Sequence, residues 1–322
     1  MRTRRGATLA GFATAFALGF ACRAPVAVRA VHFPAGHEIV VCGERVPVAA
    51  PVVLWTSEPH YDAYRERPRF RSTGASGKRY RPGREAGDER LRALSDYHGW
   101  TRALLAEQVD LLVLHYDACG TSRACFRVLQ DERQLSVHFL LDLDGTLYQT
   151  LDLCEQAWHA RAANPRSIGI EIAQVGAFPP AERDELARWY EWSELGTRIT
   201  IPGSLAGGGL RTRGFVGRPA RRELLSGAIH GATYVQHDFT PEQYESLAAL
   251  TAALVRVFPR IELDAPRDAE ANVRTDALSD AEEAAFHGVV GHFHLQTDKR
   301  DPGPAFDWER FLERARARLA AP

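Results

Sequence analysis

Length, composition and charge describe an ordinary globular chain. It has 322 residues, a formal net charge of −1, 45% hydrophobic residues and 25% charged residues. This length allows one substantial core with appendages, and the near-zero charge gives no reason to expect nucleic acid as the main partner. Only Lys78 and Lys299 are lysines among the 40 basic residues, which draws attention to both.

The N-terminus is typical of an export signal. Arginines at positions 2, 4 and 5 precede an apolar run over 7–20 that is too short to span a bilayer as an ordinary helix. We therefore predict a signal peptide over 1–22 and an exported protein: periplasmic, secreted or an outer-membrane lipoprotein. Cys22 is the lipid-anchor candidate, and the only expected route to a membrane, although Leu18 lies four rather than three positions before it. Simple cleavage nearby and a twin-arginine signal are the alternatives.

The five cysteines fit an oxidising compartment. Removal or acylation of Cys22 leaves four. Cys119 and Cys125 flank a short Gly-Thr-Ser loop that can bring their Cβ atoms together, which predicts a disulfide between them. Two unpaired thiols are the alternative, and the pairing of Cys42 and Cys154 stays open.

The chain order of predicted elements indicates an α/β domain over 99–322 behind an N-terminal extension over 23–98. The extension is predicted to contain a small hairpin within 37–55 and a loop or linker over 68–90. The domain is predicted to contain helices over 101–109 and 123–133, a buried strand over 111–115, a hairpin over 137–151 and a strand over 167–173. Helices capped by Thr240 and Asp307 follow. A Gly-, Pro- and Arg-rich insert over about 176–238 is predicted to be functional or disordered.

Three residues have the chemistry of a catalytic zinc site. His115 and His292 each end an apolar run, and Asp301 opens a rigid Asp-Pro-Gly-Pro turn. Two imidazoles and one carboxylate leave a tetrahedral zinc with one open position, where bound water has its pKa lowered towards ~7. Each residue alone is more simply a hydrogen-bonded histidine or a turn former.

Two further residues extend this set. Glu171 alternates with isoleucines in a predicted strand, between Gly169 and Ala173, so small neighbours leave room beside its carboxylate. An exposed strand face is the simpler explanation. Lys299, two positions before Asp301, is placed to stabilise an oxyanion, unless it is a solvated loop lysine.

The order of several motifs resembles the zinc-dependent N-acetylmuramoyl-L-alanine amidases of the amidase_2 and peptidoglycan-recognition-protein superfamily. These motifs are LVLH (112–115), SVHFLLDLDGTLYQ (136–149), AWHA (157–160), NPRSIGIE (164–171), GH (291–292) and KRDPGPAFDW (299–308). The resemblance implies a mixed central sheet flanked by helices, zinc as cofactor, and peptidoglycan or a muropeptide as substrate. We expect a monomer.

The resemblance also implies residue roles. It assigns zinc ligands to His115, His292 and Asp301, catalysis to Glu171 and Lys299, and substrate contacts to Trp158, His159 and Asn164. His138 is expected near the site, where it packs or contacts substrate. His294 is a rival second ligand, because His292 and Asp301 are separated by one residue fewer than in the branch that the chain resembles. Val137 stands where some members use a tyrosine, while Glu171 and Asp301 resemble the branch that cleaves anhydro-muropeptides. A non-catalytic peptidoglycan-binding module and a zinc hydrolase of another amide are the alternative functions.

Overall fold

The computed structural model describes residues 36–194, 196–205 and 208–321. The predicted signal peptide and Cys22 lie outside the described residues. A seven-stranded sheet forms the centre of this region, with strands β1 (Gly36–Val41), β2 (Glu44–Leu54), β4 (Leu111–Tyr116), β5 (Phe139–Leu141), β6 (Leu147–Gln149), β8 (Ser167–Ile172) and β13 (Gly288–Gly291). The remaining strands form three small pairs: β3 (Tyr80–Arg81) with β7 (Gln156–Ala157), β9 (Tyr190–Ser193) with β10 (Gly196–Ile199), and β11 (Leu225–Ile229) with β12 (Ala232–Gln236).

The central sheet is mixed, as predicted. Its order is β1-β2-β6-β5-β8-β4-β13. The strands β5, β8, β4 and β13 run parallel, whereas β1 with β2 and β5 with β6 are antiparallel pairs. Because β4 and β8 are parallel neighbours, side chains at their carboxyl ends meet at one edge of the sheet.

Seven α-helices occur in the described part of the chain. They are α1 (Glu89–His98), α2 (Arg102–Gln108), α3 (Ser122–Arg127), α4 (Pro241–Val257), α5 (Asp280–Ala285), α6 (His292–Leu295) and α7 (Trp308–Ala320). A π-helical turn, Val128–Arg133, continues α3 and completes the helix predicted over 123–133. None of the helices in the described ranges has the length and apolarity that a bilayer crossing needs.

The predicted helix caps are present. The Thr240 side chain accepts from the backbone N–H of Gln243, whose side chain accepts in return from the Thr240 N–H, a complete capping box at the start of α4. Asp307 caps α7 through the Arg310 N–H. Helix α4 packs against β2 and α7, and its buried apolar face joins the main core.

The N-terminal hairpin is part of the central sheet, not an appendage to it. Strand β2 pairs with β6 in parallel, with Val52 opposite Leu147. Alternate residues of β2 are buried in the main core, including Val46 and Val48, because this face packs against α4. The pairing joins segments almost one hundred positions apart, which a local strand pattern does not reveal.

The insert over 176–238 is ordered where it is described. It contains 3₁₀ segments at Pro180–Arg188 and Gly203–Leu205 and the two hairpins β9–β10 and β11–β12. An isolated antiparallel bridge between Phe178 and Val235 closes its base. The insert is therefore a set of small hairpins that returns the chain to α4.

Candidate metal centre and active-site cleft

Three side chains from distant parts of the chain converge at one point. His115 Nδ1 lies 3.0 Å from His292 Nδ1 and 2.9 Å from Asp301 Oδ2, and His292 Nδ1 lies 3.0 Å from the same oxygen. A tetrahedral zinc ion with ligands at 2.0–2.1 Å separates neighbouring ligand atoms by about 3.3 Å. The three predicted ligands therefore have the identity that one zinc ion requires, and their spacing lies within a few tenths of an ångström of this value.

The fold sets this convergence. His115 lies near the carboxyl end of β4, and His292 follows the parallel strand β13 directly, so the two histidines share one edge of the sheet. Asp301 returns to that edge through the turn after α6, where its backbone oxygen accepts from the Phe293 N–H at 3.1 Å. All three residues are less than a tenth exposed.

The far nitrogen of each histidine also has a partner. His115 Nε2 lies 3.1 Å from His159 Nδ1, and His292 Nε2 lies 2.6 Å from the side-chain amide of Gln296. The contacting atom of Gln296 is Nε2, while its Oε1 is buried without a partner, so exchanging the two amide atoms would satisfy Oε1 with His292 Nε2–H. With the ring protons on the two Nε2 atoms, both Nδ1 atoms are free to bind a cation.

The charge states suit a divalent cation. Burial, and then the neighbouring His292, lower the pKa of His115 to about 4, so its imidazole is neutral at neutral pH. Burial alone raises the pKa of Asp301, but His292 and His115 outweigh it and hold that pKa below its usual range. The centre thus offers a carboxylate at Asp301 and a neutral imidazole at His115, the deprotonated forms that metal binding needs.

Glu171 lies beside this centre. The parallel register of β4 and β8 places it directly opposite His115. Its side chain reaches the cleft, and its Oε2 is buried without a hydrogen-bond partner. Burial, followed by the charges of Asp301 and Asp117, raises its pKa well above the usual value. An orphaned carboxylate oxygen next to a cation site is the arrangement expected of a group that exchanges protons with water or substrate.

A cleft of about 620 Å³ opens above the metal centre. It brings together eight of the nine predicted catalytic, substrate-binding and metal-ligating residues: His115, Trp158, His159, Asn164, Glu171, His292, Lys299 and Asp301. Lys299 is partly exposed at its wall, and its positive charge lowers the pKa of both Glu171 and His115. A cation in this position favours negative charge that develops inside the cleft.

Two other histidines do not reach the cation site. His138, predicted to pack near the site or to contact substrate, is fully buried. Its Nδ1 accepts from the Gly169 N–H, and its Nε2 lies 3.1 Å from both the Glu155 carbonyl oxygen and the Arg84 guanidinium. His294, the rival ligand, is fully buried with Nδ1 accepting from the Gly291 N–H and Nε2 bound to the Arg274 carbonyl oxygen. The backbone therefore occupies both nitrogens of each ring.

The loop that carries the predicted substrate residues is held by Asn164. Its Oδ1 accepts from the backbone N–H groups of His159 and Ala160, at 3.1 and 2.7 Å. Gly169 lets the His159 ring approach β8, because a Cβ there would lie 2.6 Å from the ring. Asn164 thus shapes the wall of the cleft through the backbone.

The predicted disulfide between Cys119 and Cys125 is not formed in this structure. Both residues are free thiols, as are Cys42 and Cys154. Cys119 and Cys125 nevertheless both line the cleft on the loop and helix that follow β4, and Cys125 is buried. Their pairing stays a prediction.

Sequence reasoning missed Asp117, which lies two positions after His115. Its Oδ1 accepts from the N–H groups of Cys119, Gly120 and Gln174, while Oδ2 is buried without a partner. Burial raises the pKa of Asp117 to about 7. The sequence does contain a signal for this turn. Asp117 precedes Cys119 by two positions and Gly120 by three, a spacing typical of an Asx turn.

Comparison with known proteins gives the domain its family. Residues 105–203 match the Amidase_2 family model, described as N-acetylmuramoyl-L-alanine amidase. This part of the chain is similar to the Amidase_2 family. The family predicted from the motifs is thereby confirmed. The match covers less than half of the chain and ends before His292, Lys299 and Asp301, which the fold brings to the domain from the C-terminal region.

Solved structures similar to the amidase domain are distant in sequence. An AmpD derivative is 20% identical, with 65% of this chain and 86% of that chain covered and a TM-score of 0.32. AmiD from E. coli, solved with anhydro-N-acetylmuramic acid-L-Ala-D-gamma-Glu-L-Lys, is 19% identical, with 64% and 57% covered and a TM-score of 0.36. AmpDH3 from Pseudomonas aeruginosa, in complex with anhydromuramic pentapeptide, is 18% identical, with 64% and 60% covered and a TM-score of 0.35. No curated protein matches the sequence.

Proposed function

We propose that the protein is a zinc-dependent N-acetylmuramoyl-L-alanine amidase that hydrolyses the lactyl–L-alanine amide bond of peptidoglycan or muropeptides. The observation that carries this proposal is the triangle of His115, His292 and Asp301, with sides of 2.9 to 3.0 Å, inside an Amidase_2 fold. Zinc would supply Lewis acidity towards the amide carbonyl and towards water at this point.

Glu171 and Lys299 have different roles in the rest of the reaction. Glu171, with its unpaired Oε2 facing the cleft, takes a proton from the attacking water and delivers it to the leaving amine of L-alanine. Lys299 stabilises negative charge on the carbonyl oxygen. Burial raises the pKa of Glu171, which makes its carboxyl group a stronger base than an exposed glutamate.

The first test separates catalysis from metal binding. Glu171→Gln keeps the size of the side chain but removes the proton acceptor, so we expect full zinc content and a fall in kcat of about 10²- to 10⁴-fold. Zinc is measured by atomic absorption and product by mass spectrometry of muropeptides. Glu191→Gln, an exposed glutamate on β9, is the matched control and should leave kcat unchanged. Normal turnover by zinc-loaded Glu171→Gln would remove Glu171 from this role.

The second test separates hydrolysis from simple recognition. Purified protein is incubated with sacculi and with soluble anhydro-muropeptides, with and without a chelator, and the products are weighed by mass spectrometry. A zinc amidase releases free stem peptides in the untreated arm only. Binding to sacculi without any released peptide would favour the non-catalytic module, and the arm that yields product identifies intact wall or released fragments as the substrate.

We also propose that the protein acts outside the cytoplasm, where its substrate is found. The basic and apolar N-terminal segment supports export, and Cys22 supports a lipid anchor. Cell fractionation with radiolabelled palmitate tests both. Label on the wild-type chain but not on Cys22→Ser is expected of a lipoprotein, whereas unlabelled protein in the periplasm indicates simple cleavage.

A further inference from the structure

A pair of cysteines lies near the β1 edge of the central sheet, whereas the metal centre lies near the other edge, beside β4 and β13. Cys42 and Gly43 form the two-residue turn between β1 and β2 at the sheet edge, with φ of 51° and 79°. Two positive φ angles are typical of a type I′ turn, in which the first position favours Asn, Asp or Gly. Cysteine carries a Cβ that makes this conformation unfavourable, so local conformational preference does not explain its presence there.

The second cysteine meets this turn from the loop between β6 and β7. The Cys42 and Cys154 sulfur atoms lie within 4.8 Å of each other. Both residues are partly exposed, and Cys154 lines an open groove. The two sulfurs are therefore close enough to bond after side-chain rotation, and a reagent in solvent can reach them.

Asp152 holds the two cysteine backbones side by side. Its Oδ1 accepts from the N–H groups of Cys42 and Cys154, at 2.7 and 3.0 Å, and its Oδ2 accepts from the Gly43 N–H at 2.7 Å. The carboxylate is thus committed to three backbone donors. Cys42, Asp152 and Cys154 together have side chains that can bind a metal ion. The three backbone hydrogen bonds nevertheless leave the Asp152 carboxylate poorly placed to act as a metal ligand.

The side-chain amide of Gln149 also holds the N-terminal hairpin against the β6 segment. The Gln149 side chain accepts from the Val40 N–H and donates to the Val40 carbonyl oxygen, both at 2.8 Å. The hairpin is therefore anchored to the segment 149–152 both at Val40, just before the turn, and at the turn itself, which keeps the two cysteines close together.

We propose that Cys42 and Cys154 form a disulfide that ties the N-terminal hairpin to the amidase domain. The bond forms by exchange with an oxidised thiol–disulfide oxidoreductase or, in vitro, with glutathione disulfide. One cysteine thiolate attacks the donor disulfide, and the second displaces the donor from the mixed disulfide. The two cysteines are oxidised to cystine, and the donor leaves as two thiols that carry the two protons. This proposal does not depend on the amidase activity.

Peptide mapping tests the pairing directly. Trypsin releases each described cysteine in a different peptide: residues 30–45, 103–123, 124–127 and 134–161. The full chain is equilibrated with glutathione disulfide, alkylated without reduction and digested. We expect peptide 30–45 linked to 134–161 at the summed mass less two hydrogens. Alkylated Cys42 and Cys154 in the oxidised sample, or a link of either to another cysteine, would overturn the proposal.

Thermal unfolding supplies the second measurement. Reductant is expected to lower the Tm of the oxidised wild type by about 5–15 °C, because the bond closes a long loop. Cys119→Ser, which removes the other predicted disulfide, should keep this response, whereas Cys42→Ser and Cys154→Ser made in the Cys119→Ser background should lose it. If either variant fails to fold, the peptide map of the wild-type chain alone decides whether the disulfide forms. A different outcome is that both thiols stay reduced and the chain binds a second zinc ion that Cys42→Ser removes. This outcome would show that the cysteines form a metal site, and it would reject the disulfide.

Discussion

The buried side chain of Arg84 joins the backbone segments that carry the residues of the site. Its guanidinium is buried and donates to the carbonyl oxygens of four residues that lie under the cleft: Leu153, Asn164, Pro165 and Ser167. Burial lowers the pKa of Arg84 to about 10, so the side chain stays protonated at neutral pH. One cation therefore satisfies the backbone of both segments that flank the substrate loop.

Replacing Arg84 by Met keeps much of the volume but leaves those carbonyl groups without donors. We expect the free energy of unfolding to fall by about 2–4 kcal/mol, since each buried unsatisfied group costs ~1–3 kcal/mol. Urea denaturation measures the change. Arg92→Met, at an exposed position on α1, is the control and should stay within ~0.5 kcal/mol of wild type. A loss of that small size for Arg84→Met would mean that water replaces the guanidinium.

The contrast between His115 and Arg84 shows what could be predicted at this scale. His115, His292 and Asp301 end or follow distinctive local patterns, so the sequence predicted their convergence. The partners of Arg84 are backbone carbonyl groups some 70 to 80 positions away, and such groups have no sequence signature. The same reason hid the burial of His138, whose nitrogens also bind backbone groups.

At the scale of one element, the segment 158–164 depends on Asn164 for its shape. Asn164→Ala removes the oxygen that binds the His159 and Ala160 N–H groups, so the cleft wall should loosen. We expect kcat/KM to fall about tenfold, a cost typical of misplaced positioning groups, with zinc content unchanged.

The conservative variant decides how Asn164 acts. Asn164→Asp keeps an acceptor oxygen for both N–H groups and should recover most of the lost kcat/KM. Failure of Asp to rescue, with normal zinc content, would instead favour a direct contact between the Asn164 amide and substrate. Steady-state kinetics on a soluble muropeptide provide both values.

Elements with strong local signals were predicted closely. The helices α4 and α7 begin at the predicted caps, and β4 and β8 follow the predicted apolar runs. The N-terminal hairpin was also predicted, but not its place in the sheet, because the β2–β6 pairing depends on packing against α4. The insert gave no pattern from which its hairpins could be predicted, since its strands are short and largely exposed.

Across the whole molecule, buried neutral histidines make the fold sensitive to acid. Burial lowers the pKa of His138 to about 3 and that of His237 to about 4, below the unfolded value of about 6.5. A histidine with a lowered folded pKa stabilises the native state fully above pH ~6.5 and loses that contribution as pH falls towards the folded value. The contribution of these histidines to stability should therefore decrease from pH ~6.5 towards pH ~4, whereas Asp117 and Glu171, whose pKa values are raised, contribute in the opposite direction.

Thermal melts of chelator-treated protein between pH 7 and 4 measure this decrease. His237→Gln removes one of the titrating groups, so its Tm should fall less steeply with pH than that of wild type. His98→Gln, at the exposed end of α1, is the control and should leave the slope unchanged. Identical slopes for wild type and His237→Gln would show that other groups govern acid unfolding.

The pairing of β4 with β8 has a consequence for how this amidase domain tolerates change. Because His115 faces Glu171 through a ladder of main-chain bonds, their relative placement is independent of the loops between them. Loss or gain of one residue inside either strand would turn its chemical group to the far side of the sheet. Length variation should therefore accumulate in the connecting segments, while the two strands keep a fixed count.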